Sequence, residues 1–184
     1  RIKSVESTMQ ITKAMELVAS SKLRRAKERV EGSRPYFETL YSTLYDIVSA
    51  DSGFDSPYLA RRDTNRRLYI VIAGDRGLAG GYNSNILKAI EADAEGADYC
   101  VLPIGKKAVE HFERRKAAIL TTAFAEAGDL SVSDCFEISL LVCQKFLAGE
   151  FDEIRLGFTQ FVSMLTQTAT VLPVLPFDAR RPEP

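Results

Sequence analysis

Gly74-Asp75-Arg76-Gly77-Leu78-Ala79-Gly80-Gly81 is the stretch of this 184-residue chain with the strongest claim to chemistry. It follows an apolar run and opens a helical pattern, where an α/β fold can hold a phosphate on backbone amides. The glycine spacing fits neither of the phosphate-binding fingerprints, GxGxxG or GxxxxGK[ST]. Arg76 stands where a second glycine is needed, and no Lys-Ser/Thr pair follows. The stretch therefore reads as a structural turn, although its amides could take an anion. Asp75 and Arg76 directly follow the strand, a position often used for catalysis, but no nucleophile and base accompany them. They read as interaction residues.

Other reactive side chains are sparse. His111 is the single histidine and sits on a helical pattern among polar neighbours, so it reads as a surface or half-buried residue. One histidine makes no metal cluster. Cys100, Cys135 and Cys143 have no metal-ligand spacing, and an odd count of three suits a reducing compartment better than a disulfide scaffold. All three read as core thiols. No catalytic, cofactor-binding or metal-binding residue is expected.

The elements that would position these residues form two regions. Residues 1–50 read as one long amphipathic helix, with Ile11, Met15, Val18, Leu23, Ala26, Val30, Phe37, Leu40, Leu44 and Ile47 spaced mostly by three and four. Gly32-Ser33-Arg34-Pro35 predicts a kink rather than an end, because the helical pattern resumes at Tyr36. The chain has a formal net charge of -1, yet nine bases from Arg1 to Arg34 outnumber Glu6, Glu16, Glu28 and Glu31. These bases read either as a solvated face or as a basic rod suited to an acidic partner. Nucleic acid is disfavoured, since no aromatic residues interleave with these bases. No apolar run approaches the ~20 residues of a membrane span, and the opening segment does not resemble a signal peptide.

Residues 51–67 read as a linker or mobile loop. Residues 68–177 read as a Rossmann-like α/β domain with a mainly parallel sheet. Its expected strands are 68–73, 99–104, 118–124, 153–161 and 169–177. Its expected helices cover 83–94, 106–115 and 131–147. The last of these is capped by Ser131 or Ser133, with Cys135, Phe136, Ile138, Leu141, Val142 and Phe146 facing inward. Residues 178–184 read as a connector to a missing helix.

Several segments together resemble one family. The run from Ile2 to Ala26 is similar to the N-terminal helix of the gamma subunit of the rotary, proton-translocating F-type ATP synthase. Arg34-Pro35-Tyr36 resembles that family's mid-helix proline, Asp75 to Asn83 its glycine turn, and Phe161 to Gln167 its late strand and turn. The resemblance implies a coiled coil of N- and C-terminal helices around a Rossmann-like domain, with the C-terminal helix not represented after Pro184. It implies a central-stalk rotor without bond chemistry of its own, coupling proton-driven rotation to ATP synthesis on the beta subunits. The implied partners are the alpha and beta subunits, the epsilon subunit and the c-ring, with no direct small-molecule ligand or cofactor. The implied location is peripheral, at the cytoplasmic face of the bacterial plasma membrane. Lys13, Met15, Lys22, Arg24 and Arg25 match the segment facing the catalytic ring. With Asp75 and Arg76 they are the expected partner interface. The residues alone leave two other readings open, a small-molecule-binding α/β module with a dimerisation arm and a helical scaffold.

Overall fold

The computed structural model describes residues 2–50, 55–63, 65–163 and 165–178. The chain divides into two units, residues 1–54 with 179–184 and residues 55–178. The expected connector 178–184 lies outside the described residues except for Asp178.

The described residues of the first unit form one helix, α1 (Ile2–Ala50), of 49 residues. At ~1.5 Å per residue it is about 74 Å long. It runs without interruption through Pro35. Around the proline, side chains return to backbone carbonyls: Ser33 Oγ donates to Val30 O at 3.0 Å and Thr39 Oγ1 to Pro35 O at 2.8 Å. Thr8, Thr12 and Thr43 do the same one turn back, so the hydroxyls stay bonded within the helix. No residue of α1 is buried. Its apolar positions, including Met15, Val18, Phe37, Leu40 and Ile47, are exposed.

The second unit is built on β1 (Arg66–Ile72), a strand with apolar side chains on both faces. Leu68 belongs to one core and Tyr69 and Val71 to the other, all fully buried, as strand alternation requires. β1 pairs in parallel with β2 (Asp98–Ile104) and β4 (Glu153–Phe161). β3 (Ala118–Ile119) extends the sheet beside β2, and β5 (Gln167–Leu175) closes it antiparallel to β4. The order is β3-β2-β1-β4-β5. Helices α2 (Tyr82–Asp93) and α3 (Lys106–Arg114) cover one face through Ile86, Ile90 and Phe112. Helix α4 (Val132–Leu147) covers the other through Ile138, Val142 and Phe146.

Four expectations differ from this structure. The first strand begins at Arg66, within the stretch read as a linker, because Asp152 accepts from the Arg66 amide at 3.0 Å and from its guanidinium at 3.1 Å. Residues nearby also pack: Tyr58 stacks on Phe146 at 6.4 Å, and the Arg62 guanidinium lies 4.6 Å from that ring's centre. The third strand stops at Ile119 instead of Phe124, where Thr121 Oγ1 accepts from the Ala123 amide at 3.1 Å and turns the chain. The last strand spans Gln167–Leu175 rather than 169–177. In α4, Cys135 and Phe136 face outward; Phe136 is 68% exposed, beside Val132 at 74% and Leu140 at 63%. Cys135 is thus no core thiol, whereas Cys100 and Cys143 are half-buried.

Gly105 has φ +97, and a Cβ there would strike the backbone oxygen of Ala73. Gly149 has φ +74 with open space around it. Chemical denaturation is therefore expected to show Gly105→Ala costing at least ~2 kcal/mol, and Gly149→Ala about 1 kcal/mol from backbone strain alone. The two apolar faces of α4 separate in the same assay. Phe146→Ala should cost roughly 3–5 kcal/mol, while Phe136→Ser should stay within about 0.5 kcal/mol.

Candidate functional site

The turn from Gly74 to Gly81 joins β1 to α2 and is fixed by two side chains. Asn83 Oδ1 accepts from the Gly74 amide at 2.8 Å, and its Nδ2 donates to Arg76 O at 3.0 Å. Asp75 reaches away from the turn. Its carboxylate accepts from the amides of Lys106 at 3.1 Å, Ala127 at 2.9 Å and Gly128 at 2.9 Å. Lys106 also pairs with Glu126 at 2.8 Å. The first amide of α3, where an anion is favoured, thus receives the protein's own carboxylate. Burial works against the charge of Asp75, but the three amides and Lys106 outweigh it and hold the carboxyl below its usual range.

These bonds give the half-buried Asp75 an internal role. Arg76 is exposed and forms no ion pair among the described residues. Leu78, which the sequence reading passed over, is fully exposed and holds φ +58. That conformation is uncommon for a branched side chain. A leucine set between glycines was the available signal. Arg76 and Leu78 together present a cation and an apolar side chain on a stapled turn.

The five expected positions on α1 are all exposed. Counting about 3.6 residues per turn, Lys13 and Arg24 fall opposite Met15, and Lys22 falls on its side. They form a collar around the helix rather than one patch. Arg24 approaches Glu28 at 3.9 Å, whereas Lys13, Lys22 and Arg25 form no ion pair among the described residues. The helix positions and the turn positions belong to different units.

His111 is half-buried and bridges two helices, with Nε2 2.7 Å from Glu91, which Arg115 also meets at 2.6 Å. At the other end of β1, the Tyr69 hydroxyl donates to Asp93 at 2.6 Å, and Arg155 pairs with Asp93 at 2.9 Å and Glu153 at 2.8 Å. Burial, then the bond to Asp93, pushes the Tyr69 phenol up to about 12. This network joins β1, α2 and β4. Among the described residues no His, Cys, Asp or Glu cluster could hold a metal, and no helix is long and apolar enough to cross a membrane.

A long exposed helix joined in sequence to a doubly covered, mainly parallel sheet defines the class, an α/β protein carrying a long helix with an exposed apolar seam. The chain belongs to the ATP synthase family, whose model matches residues 1–183. It is 46% identical over 183 residues to an ATP synthase gamma chain of Ruminococcus albus, covering 97% of this chain and 64% of the relative. It is 39% identical over 180 residues to a sodium-ion-specific ATP synthase gamma chain of Acetobacterium woodii, covering 97% and 60%. The chain thus spans about three fifths of these relatives' length. The fold is shared with a chain of the Tetrahymena thermophila mitochondrial ATP synthase central stalk and c-ring structure, with TM-score 0.65 and 20% identity over 90% of this chain and 72% of that one.

The Asp75 clamp has a pH signature. Because its carboxyl is held below the ordinary value of 3.8, its contribution is present above that value and lost as pH falls through the lower folded-state value. Urea denaturation should show wild-type stability falling more steeply than that of Asp75→Asn between about pH 5 and pH 2. Near neutrality the variant should be about 1–2 kcal/mol less stable.

Proposed function

We propose that this chain is the rotor portion of an ATP synthase gamma chain, a non-catalytic shaft that couples proton-driven rotation to ATP synthesis on the beta subunits. The observation that carries this reading is α1, 49 residues long with no buried residue and an exposed apolar seam, in a chain of the ATP synthase family. Such a seam needs a partner helix, and the basic collar of Lys13, Lys22, Arg24 and Arg25, with Met15 beside it, suits a ring of other subunits.

A shaft that turns past several partners must not lock to one of them. Exposed charge pairs suit this requirement because each contributes only ~0–1 kcal/mol. A large apolar patch of similar area would hold far more tightly. Arg76 and Leu78 form a second contact point on the α/β unit, to a partner surface offering an acidic group beside an apolar one. The partners on this reading are the alpha and beta subunits, the epsilon subunit and the c-ring. The location is peripheral, on the cytoplasmic face of a bacterial plasma membrane.

Charge reversal tests the collar. Arg24→Glu with Arg25→Glu, placed in a full-length gamma chain and reconstituted with its complex, should lower ATP-driven proton pumping or block assembly. Pumping equal to wild type in an assembled double variant would sink the reading.

A further inference from the structure

A nine-residue connection holding Gly74, Gly77, Gly80 and Gly81 would ordinarily be soft, since glycine opens backbone states that other residues lack. This one is anchored just before Arg76 and at Arg76 itself. Before Arg76, the Asp75 carboxylate takes the amides of Lys106, Ala127 and Gly128. At Arg76 itself, Asn83 Nδ2 holds the carbonyl oxygen. The Lys107 amide also donates to Gly74 O at 3.1 Å. The donors to Asp75 come from the start of α3 and from the 3-10 turn Ala127–Asp129 that leads into α4. Between these anchors and α2, Leu78 keeps a left-handed backbone and a fully exposed side chain.

We infer that Asp75 is a positioning residue: it makes the Arg76–Leu78 turn a stiff prong that moves as one body with the start of α3 and the 3-10 turn Ala127–Asp129. This rests on the reading that Arg76 and Leu78 meet a partner. A floppy glycine loop would be ordered only on contact, at an entropic cost, and would yield under load. The clamp orders it beforehand and carries a push at Leu78 into the start of α3 and the 3-10 turn ahead of α4. Such a role differs from simple support of the fold, because its loss appears in coupling as well as in stability.

The test uses a full-length gamma chain in the reconstituted complex. Amide hydrogen exchange is measured across 74–82, 106 and 126–128, and proton pumping is measured per ATP hydrolysed. Asp75→Asn is compared with Arg76→Ala/Leu78→Ser. The expected result is exchange faster by roughly tenfold or more in Asp75→Asn, from loss of a charged acceptor, and pumping per ATP lowered towards that of the double variant. Unchanged exchange overturns the inference, as does faster exchange with unchanged coupling while the double variant is impaired. Should the double variant itself couple normally, the contact reading fails and the inference falls with it. If Asp75→Asn does not assemble, Gly128→Ala applies a milder strain to the same clamp, since its Cβ would lie 3.3 Å from Asp75 Oδ2. The same outcomes then decide.

Discussion

Strand β1 sets the terms for the whole α/β unit. Leu68 and Tyr69 are adjacent, fully buried and on opposite faces, so neither face of the sheet can be left to water. Helices must cover both, and parallel neighbours must flank the strand. α2 and α3 meet the Tyr69 and Val71 side, and α4 meets the Leu68 side. The two ends of β1 then do different work. At its start, the Asp93–Arg155–Glu153 network and the buried Asp152 tie neighbouring elements through charge. At its end the chain leaves the sheet through the glycine turn, where Asp75 and Asn83 hold the backbone.

The turn shows how an anion site can be used up by the fold. An α/β switch from strand to helix exposes amides that in other proteins cradle phosphate. Here the nearby amide at the start of α3, with two more from the 3-10 turn, is taken by a carboxylate of the same chain. The geometry that would serve a ligand instead binds three segments together. The side chains of Arg76 and Leu78 remain exposed on the turn.

Much of this architecture was readable from local pattern. The continuous apolar run of β1, a serine cap of α4 at 131 or 133 and the bounds of β4 follow from spacing and side-chain type; the structure places the cap at Ser131. Features that depend on distant partners did not. Asp75 finds its donors 31, 52 and 53 residues away, and no local motif announces them. The orientation of Phe136 failed for another reason. α4 carries Ile138, Val142 and Phe146 on one face and Val132, Phe136 and Leu140 on the opposite one, each set at intervals of four. Periodicity identifies such a helix but cannot say which set meets the sheet. The third strand ended early because a threonine side chain competed with the ladder for a backbone amide.

The same ambiguity bears on the long helix. α1 and the outer face of α4 both leave apolar residues exposed, yet they differ in what surrounds those residues. The outer stripe of α4 is bordered by Ser133, Gln144 and Glu137, with few charges to set a register. The seam of α1 is encircled by bases, and Lys22 interrupts it on the side of Met15. A permanent, fully apolar interface would favour an unbroken stripe, as in a stable coiled coil. An interrupted stripe ringed by bases offers less apolar area to any partner than an unbroken one does.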